Sequence, residues 1–232
     1  MDAVTEASEV FAQTKTQGQV VASAVFSFAQ GVEAQTREAI SDSALLAQLV
    51  ANKQVDVAAD PVKWYTEYTK VLENLGWVLQ EAAWNDYTTN GSAAEVHQKI
   101  IEVLGVVLVA GATALAIVTS ALNALKAMKD DSPWITLFAR ESQKARMARF
   151  QIGVAENDSK GGVMVTMLGC LIEAENNITQ VLFFKIKSAN ARFQANNAKF
   201  SMNVPALLEM SPAIRTKIRA YQADYLSSIK DL

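Results

Sequence analysis

A run of 23 consecutive uncharged residues, 103–125, sets the strongest limit on the possible folds of this chain. Glu102 precedes the run and Lys126 follows it. A helix built from this run is apolar on every side, so it must be covered all round by protein or by lipid. The run is also long enough to span a bilayer, which needs about 20 such residues. We expect a buried central helix, with conditional entry into a membrane as the alternative.

The residues before this run show mainly helical patterning. Apolar residues recur at helical spacing through the first 55 residues. Asp60-Pro61 is a typical helix start, because Asp accepts hydrogen bonds from free N–H groups and Pro is favoured in the first turn. This second helix is expected to end near Ala83, with a loop over residues 86–91. Residues 92–95 (Ser-Ala-Ala-Glu) form a capping box that opens the central helix.

After about residue 146 the apolar period changes from 3.6 to 2, which predicts strands. In residues 148–154, apolar side chains alternate with Arg149, Gln151 and Gly153. Residues 163–174 are apolar on both faces, which is typical of a central strand covered on both sides. Further strands are expected at 181–187 and 199–204. Because short turns join these strands, we expect an antiparallel meander, followed by a helix from Ser211.

These segments predict an α+β fold in a single domain, residues 1–232. Residues 1–145 are expected to be mainly helical and to surround the long apolar central helix. Residues 146–204 are expected to form a three- to four-stranded antiparallel sheet, and residues 205–232 a closing helix.

Composition argues against several classes of function. A net charge of −3 is unlike that of a general nucleic-acid binder. With one cysteine, Cys170, and one histidine, His97, the chain offers no internal disulfide and no Cys-rich or His-rich metal site. The sequence has no Gly-rich phosphate loop and no nucleophile elbow. We therefore predict no catalytic residue, no metal and no enzymatic activity. The acidic start also lacks the pattern of a cleaved Sec signal.

Cys170 has two interpretations. It can be an inert buried thiol, or it can carry a thioester-linked fatty acyl chain, and each buried CH₂ of that chain adds about 0.8 kcal/mol of apolar stabilisation. The long apolar helix and the strand that bears Cys170 would then line the acyl chain. The residues expected to contact lipid are Val107, Gly111, Leu115, Met164, Leu168 and Ile172.

The layout of the chain resembles the bacterial virulence factor Evf family. The resemblance rests on the Asp60-Pro61 helix start with Trp64 and Tyr65, on Gly76-Trp77, on the long apolar segment, and on the one cysteine in the C-terminal part. It implies an α+β fold, a palmitate linked to Cys170 and binding to lipid vesicles. It also implies synthesis in the bacterial cytoplasm, release without a Sec signal and action at host membranes.

The leading hypothesis is therefore a virulence or insecticidal protein that binds lipid membranes through an S-acylated Cys170. One alternative is a pore-forming toxin that inserts the helix of residues 103–125. Another is a soluble enzyme or interaction module. The expected partner is a membrane or a fatty acyl chain, with oligomer formation left open.

Overall fold

The computed structural model describes residues 17–89, 93–107, 112–126, 133–144, 146–175, 178 and 191–228. The described residues form seven strands and six helices of an α+β fold. The strands are β1 Gln17–Val21, β2 Ala24–Phe28, β3 Trp77–Thr89, β4 Gln143–Lys144, β5 Met147–Asn157, β6 Val163–Ala174 and β7 Ala191–Met202. The helices are α1 Ala34–Gln54, α2 Pro61–Asn74, α3 Ala93–Val107, α4 Ala112–Lys126, α5 Pro133–Ser142 and α6 Val204–Ser228.

All of these strands belong to one mixed sheet. Its order is β1-β2-β5-β6-β7-β3, and the short β4 pairs with the start of β5. The β2–β5 pair is parallel, whereas the other neighbours are antiparallel. The sheet therefore joins the N-terminal hairpin to the C-terminal meander, with β5 and β6 at its centre.

Each face of the sheet is covered by helices, and each has its own apolar core. The first helical layer consists of α1, α2 and α6, and its core includes Phe26, Trp64, Trp77 and Phe200. The second helical layer consists of α3, α4 and α5, and its core includes Cys170. Successive side chains of a strand point to opposite faces, so β5 and β6 contribute to both cores.

The prediction of one long apolar central helix is wrong. The run of residues 103–125 is divided between α3 and α4, which lie on one face of the sheet. The residues between them, 108–111, are outside the described part of the chain. Among the helices that are described, none combines the length and the apolar character needed to cross a bilayer. Each of the two shorter helices buries apolar side chains of the run against the sheet, such as Val103 of α3 and Val118 of α4. Composition alone does not specify this division into two helices.

The predicted helical N-terminal two-thirds is also wrong, because β1, β2 and β3 all lie within it. The β1–β2 hairpin turns at Ala22 and Ser23, and the Ser23 amide donates to Gln48 Oε1 of α1 at 3.0 Å. Gly76 ends the expected helix early with a φ of +91°, and its carbonyl accepts from the Asn203 amide at 2.8 Å. These long-range contacts outweigh the local helical spacing.

The three- to four-stranded antiparallel sheet is wrong for the same reason. The N-terminal β2 adds a parallel pair beside β5, and β3 extends the other edge along β7. The closing helix is present but begins at Val204 rather than at Ser211, and Pro212 lies inside it. The strand predicted at residues 181–187 falls outside the described residues.

Two local predictions are confirmed. Asp60 caps α2, and its Oδ1 accepts from the Lys63 amide at 2.9 Å with Pro61 in the first turn. The strand predicted at residues 163–174 is β6, and eight consecutive residues of this strand are buried. Both features depend on short-range sequence patterns.

Candidate functional site

The interface between the second helical layer and the sheet contains three of the six residues predicted to contact lipid. From the helices, it receives Ile100, Val103, Leu104, Ala114, Val118, Leu122 and Phe138. From the sheet, it receives Phe150, Ile152, Leu168, Cys170, Ile172 and Phe193, among others. All of these side chains are buried and apolar. The interface is therefore a buried apolar core to which α3, α4, α5 and the sheet all contribute.

Cys170 lies at the centre of this interface. It pairs with Phe150 on one side and with Ala195 on the other, and its side chain is fully buried. Burial raises the pKa of the Cys170 thiol well above its ordinary value. A protonated, inaccessible thiol is a poor nucleophile, so Cys170 is chemically inert while the helices cover it.

The other predicted lipid-contacting residues are distributed as follows. Leu168 and Ile172 flank Cys170 on the same face of β6, and Leu115 of α4 packs against the same cluster. Met164 is half-buried near the start of β6. Val107 ends α3, but its side chain lies outside the described part of the structure, as does the whole of Gly111. The structure thus brings together Cys170, Leu115, Leu168 and Ile172.

The outer side of the second layer also carries apolar surface. Val106 of α3 is 70% exposed, the largest exposure among the large hydrophobic residues described as exposed. On α4, Leu115, Ala116 and Thr119 line an open groove together with Ser120 and Asn123. Lys99 and Glu102 form an ion pair at 3.1 Å within α3. This layer therefore combines an apolar inner face with a weakly charged outer one.

The first helical layer is attached to the sheet by polar bonds as well as by apolar packing. The Tyr65 hydroxyl lies 2.8 Å from the Phe150 carbonyl oxygen and 3.2 Å from that of Cys170. The amide of Gln48 donates to the Val21 carbonyl at 3.0 Å. Such bonds have strict geometry, so they hold α1 and α2 at fixed positions on the sheet.

Sequence reasoning missed a buried cation beneath the first layer. Arg149 of β5 is 4% exposed, and its guanidinium lies 3.5 Å from the centre of the Trp64 ring. Tyr65 and Tyr68 of α2 also neighbour it. The alternation of residues 148–154 correctly separated Arg149 from the apolar face of β5. That the opposite face is also covered depends on α2, which no local pattern reveals.

Searches for related sequences identify no family for this chain. No family model matches it, and no curated protein matches it. The solved structures that are similar to it in part include a delta-endotoxin and the Evf virulence factor. A delta-endotoxin is 12% identical with a TM-score of 0.41, over 77% of this chain and 80% of the endotoxin chain. The Evf virulence factor is 12% identical with a TM-score of 0.33, over 85% of this chain and 77% of the Evf chain.

Evf is thus among the structures to which this chain is similar. At 12% identity and TM-scores below 0.5, neither similarity establishes a shared family or function.

Proposed function

We propose that this protein is a membrane-active protein of the toxin or virulence type. In this proposal α3 and α4 separate from the sheet at a lipid surface and place their apolar faces in the bilayer interface. The observation that carries it is the composition of the layer. The residues that α3 and α4 press against the sheet are apolar, and no charged residue occurs from 103 to 125.

The energetics of apolar contacts support this route. Apolar side chains lose little free energy when they move from the protein interior to the lipid interior, because the hydrophobic effect is non-directional. A layer held by hydrogen bonds would lose bonds of fixed geometry on transfer, at roughly 0.5–1.5 kcal/mol each. The second layer can therefore leave the sheet for lipid at lower cost than the first layer can.

The first experiment is vesicle flotation of the full chain. We expect it to float with phosphatidylcholine vesicles, and more strongly when phosphatidylglycerol is added, because residues 140–232 have an excess of basic over acidic residues. A chain that stays at the bottom of the gradient with both kinds of vesicle would refute the membrane role.

Cys170 provides a reporter for separation of the layer. It is the chain's one cysteine, and it is buried beneath α3, α4 and α5. We expect a thiol-reactive dye to label it slowly in solution and about tenfold or more faster with vesicles, because labelling requires local opening. Flotation without faster labelling would retain membrane binding and reject separation of the second layer from the sheet.

Two glycine substitutions provide a matched pair with opposite expected signs. A Cβ at Gly18 of β1 would lie 2.9 Å from Ala121 Cβ of α4, so Gly18→Ala pushes the helix outward. A Cβ at Gly105 of α3 would meet Leu115 Cδ2 at an ordinary 3.7 Å, so Gly105→Ala stabilises the helix. We expect Gly18→Ala to be labelled by the dye, and to bind to vesicles, faster than the parent chain. We expect both rates to be lower for Gly105→Ala than for the parent chain. Equal rates in the two variants would contradict the proposed route.

Acylation of Cys170 remains a separate proposal. Because the thiol is fully buried, an attached chain would have to lie between the second layer and the sheet. It would also have to be attached before the helices cover the thiol. Intact-mass measurement of protein from its native source tests this directly, since a mass equal to that of the bare polypeptide rejects acylation.

A further inference from the structure

A cavity of about 250 Å³ lies where the loop between α1 and α2 meets the end of α5 and the start of β5. Its lining includes Val57 from the loop, and Arg140, Glu141 and Ser142 from α5. Arg149 of β5 also lines it. The cavity therefore brings two arginines, one carboxylate and a hydroxyl together at the edge of the first helical layer.

Arg149 lacks the partners that a buried guanidinium usually has. Its Nη2 lies 3.5 Å from the Glu141 carbonyl oxygen, at the outer limit of a hydrogen bond. Its Nη1 lies 3.2 Å from the Gln151 side-chain oxygen when that amide is oriented to satisfy its neighbours. Its Nε and the Ser142 hydroxyl have no hydrogen-bond partner among the described residues, although both atoms are buried. Two buried polar groups lining one cavity thus remain unsatisfied.

Arg37 shows how the same fold satisfies a buried arginine. Its Nε donates to the Val32 carbonyl, its Nη2 to the Ala29 carbonyl and its Nη1 to Gln17 Oε1, each at 2.8 Å. That pattern is typical of a structural arginine, whose bonds to the surrounding chain offset the cost of burial. Arg149 lines a cavity instead, and its bonding is incomplete.

The charge of the cavity favours an anion. Burial lowers the pKa of Arg149 to about 10, so the guanidinium remains protonated at neutral pH. Arg140 and Glu141 pair with each other at 2.9 Å, which leaves the charge of Arg149 in excess among these side chains. Arg140 also lines the cavity, and its side chain is largely exposed to solvent. A guanidinium fork matches the geometry of phosphate and carboxylate oxygens.

We propose that this cavity binds a phosphate group, with Arg149 and Ser142 as its inner contacts and Arg140 at its entrance. Phosphate oxygens would accept from Arg149 Nε and from the Ser142 hydroxyl, which satisfies both groups. The phosphate comes either from free phosphate or from a lipid headgroup. This site is distinct from the α3–α4 face, so phosphate binding can be tested independently of the proposed membrane activity.

The experiment uses the contact between Arg149 and Trp64. The full chain is labelled with fluorotryptophan and titrated with sodium phosphate. Sodium chloride is reduced at each step so that the ionic strength stays constant. We expect the Trp64 fluorine resonance, identified by its loss in Trp64→Phe, to shift and saturate. The Trp77 resonance should stay in place, because Trp77 bonds to Ser43 elsewhere in the first layer. A Trp64 resonance that moves no more with phosphate than with chloride overturns the proposal.

A second titration identifies the source of the phosphate. Glycerophosphate represents a lipid headgroup without acyl chains, and inorganic phosphate represents the free ion. Tighter binding of glycerophosphate supports a headgroup, and tighter binding of inorganic phosphate supports the free ion. If neither shifts Trp64, the site does not bind phosphate.

Three variants distinguish phosphate binding in this cavity from a general effect of the protein's charge. Arg149→Lys keeps the charge but loses the fork, and we expect affinity to fall by about tenfold or more. Arg140→Gln alters an exposed side chain, so it keeps the fold and should weaken binding by a few fold. Arg192→Gln is the matched control, since Arg192 is exposed and pairs with Asp86 at the β3–β7 edge. If all three variants bind phosphate like the parent chain, the assignment of these residues is wrong.

Discussion

The two helical layers cover opposite faces of one sheet, but they are attached to it in different ways. The first layer has polar anchors to the sheet. The Tyr65 hydroxyl donates to a strand carbonyl, and the Trp77 indole N–H donates to the Ser43 hydroxyl of α1. Arg215 of α6 also bridges to Glu38 and Asp42 of α1. The second layer packs apolar side chains against an apolar sheet face. The comparison indicates that directional bonds fix the position of the first layer, whereas the second layer is held mainly by apolar packing.

Trp64→Ala should have the largest effect on stability, because it removes a central part of the first layer. Trp64 is fully buried, stacks on Tyr68 with ring centres 5.1 Å apart, and covers the Arg149 guanidinium. We expect the free energy of unfolding to fall by about 3–5 kcal/mol, as for other buried aromatic truncations. Urea unfolding followed by circular dichroism measures this. A loss below about 1 kcal/mol would show that the first layer is not the more firmly held one.

Tyr65→Phe tests the polar anchor directly. The substitution removes one hydroxyl that contacts the Phe150 and Cys170 carbonyls and leaves the ring in place. We expect a loss of about 1–3 kcal/mol in the free energy of unfolding, because buried acceptors lose a donor. Tyr221→Phe is the matched control, since Tyr221 is 53% exposed and should show little change. Equal effects at the two tyrosines would argue against the anchor.

Gly18→Ala tests the attachment of the second layer. Its added methyl group meets Ala121 of α4, and we expect a loss of about 1 kcal/mol, less than for the anchors of the first layer. Ala121→Gly restores the space, so Gly18→Ala should cost less in that background. Urea unfolding of the two single variants and the double variant measures this coupling. Purely additive losses would mean that the two residues do not press on each other.

The smallest effect concerns pH. Burial raises the pKa of the Cys170 thiol, so the folded state keeps the proton and the unfolded state releases it. This contribution to stability is complete below the ordinary thiol pKa of about 8.5 and is lost as pH rises beyond it. We therefore expect the stability difference between the parent chain and Cys170→Ala to shift against the parent by less than about 1 kcal/mol between neutral pH and about pH 9. If the free energies of unfolding of the two chains change in parallel with pH across this range, the raised pKa of Cys170 is contradicted.

Local sequence patterns predicted some parts of this structure well. The Asp60 cap needs only residues within one turn of the helix, and the position of β6 follows from a stretch that is apolar on both faces. The same period predicted that Cys170, Leu168 and Ile172, three residues of the candidate site, share one face of that strand. One long helix was expected to cover that face, but α3, α4 and α5 cover it.

Arg149 illustrates the opposite case. The two-residue period placed it away from Phe150, but a polar residue at such a position normally faces solvent. Its burial depends on α2, which lies far away in the sequence and brings Trp64 over it. Gly169 makes room on the same face, because a Cβ there would lie 2.6 Å from the Tyr65 ring. No pattern within β5 contains this information.

Composition and spacing were enough to predict where apolar surface would be concentrated, where α2 begins and which strand is central. These features depend on interactions within a few residues. That residues 77–89 form a strand and that residues 103–125 contribute to two helices follows from contacts between distant parts of the chain. Trp77 pairs with Met202 across 125 positions of the chain. The hydrogen bonds of a sheet are made with distant partners, so their stabilisation is absent from any local segment.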